Sequence, residues 1–397
     1  MLHRTEIKMT NAVLFDFNRK GLLPFTYTRP VAEIRVGILT IREHWETLLE
    51  QPVSFMTEDY LTGKFPSWKD TENLFINGAV IPNADLVNAS HDLMLGQRLV
   101  KEGVPLAAYA EGWPDPVSPY GRFRDIEYKG QVRIISNPWE IFIHCGEMIK
   151  QQMDLITKDR KSQPIPGSNK VIGGGKLFIE AGAKVECSII NTETGPVYIG
   201  KNAEVMEGSM IRGPFSLGDE ATLKMGAKVY GPTAIGPHCK VGGEISNSVF
   251  MGYSNKAHDG FIGNSVIGEW CNLGADSNNS NLKNNYSEVS IYSIDKGEMI
   301  RTGLQFCGIF MGDHSKCGIN TMFNTGTVIG VSSNIFGAGF PPKFIPSFKW
   351  GGFEGSEPFQ IEKAIGLAKE VFARRGKDFD QTEEKLLMKV HELTKGS

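Results

Sequence analysis

Every sixth residue from 199 to 241 is aliphatic: Ile199, Val205, Ile211, Leu217, Leu223, Val229, Ile235 and Val241. Four places after each, the residue is usually small: Ala203, Ser209, Ala221, Ala227, Thr233 and Cys239, with Phe215 and Ile245 as exceptions. A period of six suits neither an isolated α-helix nor a simple alternating strand. It suits a parallel β-helix in which each hexad forms one face of a coil. Three hexads make a triangular coil, so the expected fold is a left-handed prism with the aliphatics inside and the small residues in its narrow interior. Glycines Gly200, Gly218 and Gly236 recur eighteen apart, at the corners. The chain has 45 glycines in 397 residues, above the usual ~7%, as a glycine-cornered solenoid requires.

The frame returns downstream. Ile267 and Leu273 are six apart, and Met311, Cys317, Phe323, Ile329 and Ile335 form a third run. Ile179 and Val185 open the pattern upstream. The frame is lost over 247–261 and 275–308. Insertions leave a solenoid outward from one face, often the binding face, so both gaps are expected to be outward insertions near a site.

Residues 1–156 read differently. Apolar runs at Val13–Phe17, Leu74–Gly78 and Val132–Ile135 predict strands. Ile38–Glu50 and the stretch from Asn137 to Ile156 predict helices, the second with Ile141, Cys145, Met148, Ile149 and Met153 on one face. Mixed strands and helices predict an α/β domain. The polar stretch 157–170 reads as a linker, 171–345 as the β-helix, and 355–397 as a short helical segment. Within that segment, helices are expected near 359–374 and 381–394, the second opened by Asp380 and Glu383 as a capping box.

With 41% hydrophobic residues and a net charge of −3, the composition argues against disorder and against a nucleic-acid footprint. No apolar run is long enough for a membrane span, and Met1–Glu6 lacks a secretory apolar core. Six scattered cysteines without C-x-x-C spacing, among them Cys187 and Cys239 at small positions of the hexads, read as buried reduced thiols in a cytosolic protein.

A prism filled with side chains cannot hold a substrate inside, so its sites are expected in grooves between prisms. That points to a homotrimer. Among candidate catalytic groups for such a groove, histidine titrates near neutral pH and can act as a base. His238 and His314 occupy routine corner positions and read as solvated. His258 stands in the first frame break, beside Lys256 and Asp259.

Asn255-Lys256-Ala257-His258, then Phe261 to Gly268, then Asn272-Leu273-Gly274-Ala275 resemble the acetyltransferase half of the bifunctional bacterial N-acetylglucosamine-1-phosphate uridyltransferase/glucosamine-1-phosphate N-acetyltransferase family. The resemblance covers about 170–340. It implies a hexapeptide-repeat acyltransferase that transfers acetyl from acetyl-CoA to an amino-sugar phosphate. It places His258 on the family's catalytic base, Asn255 and Lys256 near its sugar-phosphate contacts, and Asn281 on its substrate asparagine. Phe261 stands where the family has a substrate tyrosine, Leu282 where it has an aromatic, and Asp276 where it has a glycine. By the same resemblance, acetyl-CoA would lie against Gly274, Ala275, Gly312, Asp313 and Gly337, with its phosphates near Lys343 or Lys349.

Leu23-Pro24-Phe25-Thr26-Tyr27-Thr28-Arg29-Pro30 resembles the L-x-P-L-T segment of sugar-phosphate nucleotidyltransferases, which implies a truncated, Rossmann-like nucleotide domain. Its glycine-rich phosphate loop is reduced to Asp16-Phe17-Asn18-Arg19-Lys20-Gly21, and Ala79 stands where the metal aspartate is expected. Arg19, Lys20 and Arg29 are the candidate nucleotide contacts. Uridyl transfer from UTP would need Mg²⁺, for which Asp16 is the nearest substitute ligand. Two other readings stay open. One is a non-catalytic sugar-nucleotide sensor or scaffold. The other is a zinc lyase of the γ-carbonic anhydrase type, disfavoured because the solenoid has no H-x4-H pair.

Overall fold

A computed structural model describes residues 10–118 and 123–396. The Met1–Glu6 stretch lies outside the described residues. Contacts divide the chain into two compact units. The first comprises residues up to 19, 29–33 and 40–135; the second comprises 20–28, 34–39 and 136 onward.

The first unit is built on a six-stranded mixed sheet. Asn11–Phe15 lies between Ser54–Met56 and Glu72–Asn77 with parallel pairing to both. Val104–Glu111 then pairs antiparallel to Glu72–Asn77 and to Gln97–Lys101. Arg124–Glu127 closes the far edge, parallel to Gln97–Lys101. The strands run into the core as four successive buried residues, Ala12 to Phe15, and five, Asn73 to Asn77. Continuous rather than alternating burial is what a sheet covered on both faces requires. Helix α1 (Ile41–Leu49) begins with a capping box between Thr40 and Glu43, and α2 (Ala84–His91) begins with the Asn83 side chain on the Leu86 amide.

The second unit is a parallel β-solenoid of about ten turns with three faces. On one face the register stacks Ile179, Ile199, Leu217, Ile235, Phe250, Ile267, Met311, Ile329 and Ile345 in a single inward column. All eight aliphatics of the 199–241 run are buried, as are all six small residues that accompany them. The frame break at 247–261 is not an outward insertion. Ile235 pairs with Phe250 and Val241 with Lys256, so this coil is fifteen residues long instead of eighteen. The next is seventeen, from Phe250 to Ile267. The prism continues unbroken while the count slips. The second gap is an insertion. After Asn279 the chain leaves the coil, forms an antiparallel hairpin of Ser290–Ser293 and Glu298–Arg301, and returns at Ile309.

Helix α3 (Glu140–Ile156), expected with the α/β domain, packs on solenoid strands. Gly146 is the point of closest approach: a Cβ there would come within 2.6 Å of the Pro232 ring. The expected linker is partly coil. The Gln163 amide donates to Ile179 O, and Asn169 bonds to Val185 and Ser188. The C-terminal helices are α4 (Ile361–Ala373) and α5 (Gln381–Leu393). Asp380 caps α5 through the Thr382 and Glu383 amides. Five cysteines are buried; Cys187, contrary to expectation, is exposed at a corner with φ 49°. No helix among the described residues is long and apolar enough to cross a membrane.

Candidate functional site

One solenoid face carries an outward row in register: Lys240, Asn255, Asn272, Lys316 and Asn334. Helix α4 runs beside this row. Its C-terminal end, with Val371 and the Arg374 and Arg375 that follow the helix, walls a groove of about 580 Å³ whose other sides are Ala257, His258, Gly274, Ala275 and Ile319. Lys240, Lys316, Arg374 and Arg375 all line it, and no described lining residue is acidic. Four cations without a counter-charge make a site for an anion.

The wall is fixed by polar and aromatic contacts. Arg375 donates to the His238 carbonyl at 3.1 Å and to the Asn255 side-chain oxygen at 2.7 Å. Beside it an aromatic column runs along successive corners. His238 stacks on Tyr253 (4.5 Å), Tyr253 on Trp270 (4.2 Å), and Trp270 on Phe372 of α4 (3.9 Å). His238 and His314 are therefore not simply solvated. His238 is half-buried against Tyr253 and 3.2 Å from Glu220, and burial lowers its pKa. His314 is buried under Trp270 and Phe372. Burial pushes the half-buried Lys316 ammonium down to about 8, and burial with its cationic neighbours lowers Lys240. Burial dominates both shifts, and cationic neighbours add to it only at Lys240.

Of the candidate residues, the groove gathers His258, Asn255, Gly274 and Ala275. His258 is exposed at a corner turn. The Gly274 N–H is taken by the Cys317 carbonyl. Lys256 is not at the surface: it is fully buried in the prism column between Val241 and Leu273. It cannot touch a sugar phosphate in this conformation. Phe261 and Asn281 lie on the adjoining face, where the Asn281 amide donates to Asn264 at 2.8 Å. Asp276 is exposed at the corner above His258.

Asp313 is buried and engaged: its carboxylate accepts from the Thr28 hydroxyl at 2.7 Å and the Glu269 amide at 2.8 Å. Gly312 lies against the Gly330 backbone of the next coil, which explains its lack of a side chain. Gly337 sits at an open corner, and Lys343 is partly buried with a lowered pKa.

The nucleotide candidates are dispersed. Arg19 is held by the Tyr60 hydroxyl and the Arg29 carbonyl. Arg29 is buried, near Glu33. Lys20 is exposed and belongs to the second unit. Of the Leu23–Pro30 segment read as a nucleotide motif, residues 23–28 group with the solenoid unit, with Phe25 fully buried and Thr28 on Asp313. Both Asp16 oxygens are in use, one on the Val31 amide and one on the Thr57 hydroxyl, and burial raises its pKa. Burial disfavours the charged form a metal ligand requires, and the two bonds give the carboxylate a structural role between Val31 and Thr57.

Sequence reasoning missed Lys240, Lys316, Arg374 and Arg375. The first two did carry a signal, since each sits between a small residue and an inward one, in Cys239-Lys240-Val241 and Ser315-Lys316-Cys317.

Residues 12–161 match the model of a sugar nucleotidyl transferase family. A bifunctional sugar-1-phosphate nucleotidylyltransferase/acetyltransferase of Sulfurisphaera tokodaii is 31% identical over 217 residues, 54% of this chain and 47% of that protein. The bifunctional protein GlmU of Methanococcus aeolicus is 34% identical over 90 residues, 23% of this chain and 21% of that protein. The match thus spans less than half the length of either relative. Among solved structures, a UDP-N-acetylglucosamine acyltransferase from Campylobacter jejuni is 13% identical, with a TM-score of 0.32, over 57% of this chain and 95% of that one. The chain is thus similar over 12–161 to a sugar nucleotidyl transferase family, and over about half its length to a bifunctional sugar-1-phosphate nucleotidylyltransferase/acetyltransferase.

Proposed function

We propose that the solenoid transfers an acetyl group from acetyl-CoA to the amine of an amino-sugar phosphate. The observation that carries this reading is an exposed His258 on the rim of a groove lined by four cations and no described acid. A phosphorylated substrate suits the cations, and an amine nucleophile suits the imidazole. His258 takes the amine proton as nitrogen attacks the thioester carbonyl. The tetrahedral oxyanion is held by a backbone N–H, for which Ala275 is the candidate because Gly274 is occupied. Collapse releases the CoA thiolate, which takes up a proton.

A homotrimer is part of this reading. Ile172, Ile189, Met210 and Tyr230 are exposed on one solenoid face, in two columns shared with Asn191, Arg212 and Lys228, and such a mixed apolar and polar patch suits burial against a second copy. For the first unit, the engaged Asp16 and buried Arg29 favour the second reading, a sugar-nucleotide binding module, over uridyl transfer with Mg²⁺.

Radiolabelled acetyl-CoA with a panel of amino sugars, each with and without phosphate, tests the proposal. Acetylation of a phosphorylated amino sugar is expected. Transfer to none of them would defeat it. Pyrophosphate release from UTP with the acetylated product tests the first unit.

A further inference from the structure

The column that faces into the prism behind the groove reads Val185, Val205, Leu223, Val241, Lys256, Leu273, Cys317 and Ile335. One position of eight is a cation. Lys256 is as buried as its apolar neighbours. A lysine there is unfavourable unless its ammonium finds acceptors. It finds them at the corner: Nζ donates to the carbonyl of His258 itself and, at 2.8 Å, to that of Asp259. The same turn is held from the next coil. The Asp276 amide donates to Asp259 O at 3.0 Å. Gly260, with φ 113°, lies so close to Ser277 that a Cβ would come within 2.3 Å of its carbonyl. The backbone of His258 is thus gripped from inside while its imidazole is exposed.

From this we infer that Lys256 is a positioning residue for His258: an internal clasp that fixes the backbone of the catalytic corner and so the direction of the imidazole into the groove. This rests on the proposed acetyltransferase reading for its kinetic consequence, but not for its structural one. An internal contact of Lys256 stands where the resemblance implied a substrate contact. It also explains why a charge stands where the hexad pattern asks for an aliphatic. A misplacement of a reacting group by about 1 Å can lower a rate by about 10²-fold. Substrate affinity, set by the groove cations, would be untouched.

Lys256→Met tests it. Methionine matches the lysine stem and suits the interior, and replacing a buried charge by an apolar side chain is often neutral or stabilising. The expected result is an unchanged or higher Tm, with backbone amide exchange in 257–261 faster by about tenfold or more and unchanged in 199–241. Acetyl-transfer kcat should fall about 10–100-fold with both KM values unaltered. Faster exchange with no acetyl transfer in either protein would defeat the functional reading and leave the clasp standing. A folded variant with unaltered exchange and unaltered kcat would overturn the inference, as would a rise in sugar-phosphate KM at constant kcat, which would mark Lys256 as a substrate contact. Should the methionine variant not fold, the unsubstituted protein answers alone. Its 257–261 corner should exchange about tenfold more slowly than the open 336–340 corner, and equal rates would refute the clasp.

Discussion

The coils at 199–241 and those at 254–317 share a backbone and differ in what they enclose. In the first, the small interior position at the start of one face is Ala203 and Ala221. In the second it becomes Ser254, Cys271 and Ser315, and these side chains bond to the backbone of the neighbouring coils. The aliphatic column likewise accepts Lys256. The regular coils rest mainly on burial and the backbone ladder, with only Ser209, Thr233 and Cys239 bonding from these small interior positions. The irregular ones place hydrogen-bonding groups inside, and their corners become fixed points from which His258 can be presented. Loss of the repeat therefore marks a change of task, not a gap in the fold.

His258→Ala breaks the comparison most sharply. Removal of a general base lowers kcat by about 10²–10⁴-fold, with acetyl-CoA KM and Tm unaltered; steady-state kinetics with a melting curve decides it. Full turnover in this variant would withdraw the catalytic reading of the whole solenoid. Removing the α4 cations is next. Arg374→Ala with Arg375→Ala should raise the KM for the phosphorylated substrate about 10–100-fold, the equivalent of one charge-assisted hydrogen bond of about 1.5–3 kcal/mol, since Arg375 is already engaged by His238 and Asn255. The KM of the dephosphorylated sugar should barely move.

In the regular coils the pattern reverses. Leu223→Ala should lose about 2–5 kcal/mol in denaturant unfolding, while kcat per folded molecule stays the same. The smallest effect is on pH. With its pKa near 8, Lys316 is charged below that value and neutral above it. The groove therefore loses positive charge as pH rises. The sugar-phosphate KM should climb a few-fold between about pH 7 and about pH 9, and Lys316→Met should flatten the rise.

The prism was legible because an inward position must be apolar every time it recurs, so Ile199 to Val241 announce the coil without any other information. The 280–307 insertion was legible for the same reason. The 247–261 stretch was not, because a coil shortened to fifteen residues erases the count as thoroughly as an insertion does. A motif singled out His258 as a candidate, but nothing in the sequence showed the groove it borders. Outward positions obey no period, so Lys240 and Lys316 blend with solvated charges until register aligns them. Arg374 and Arg375 join them only because Phe372 docks on Trp270, more than a hundred residues away in the chain. The segment around Thr28 resembles a nucleotide motif in sequence, yet it groups with the solenoid unit, where the Thr28 hydroxyl bonds to Asp313.

The stack of Tyr253 and Trp270 under Phe372 has an optical consequence. An indole held nearly parallel to two aromatic rings, on the wall of an anion groove, is a chromophore whose emission depends on whether the C-terminal helix is seated. Ligand occupancy and helix seating can then be followed by the protein's own fluorescence, without a label, and a Trp270→Phe control separates this signal from that of the other five tryptophans.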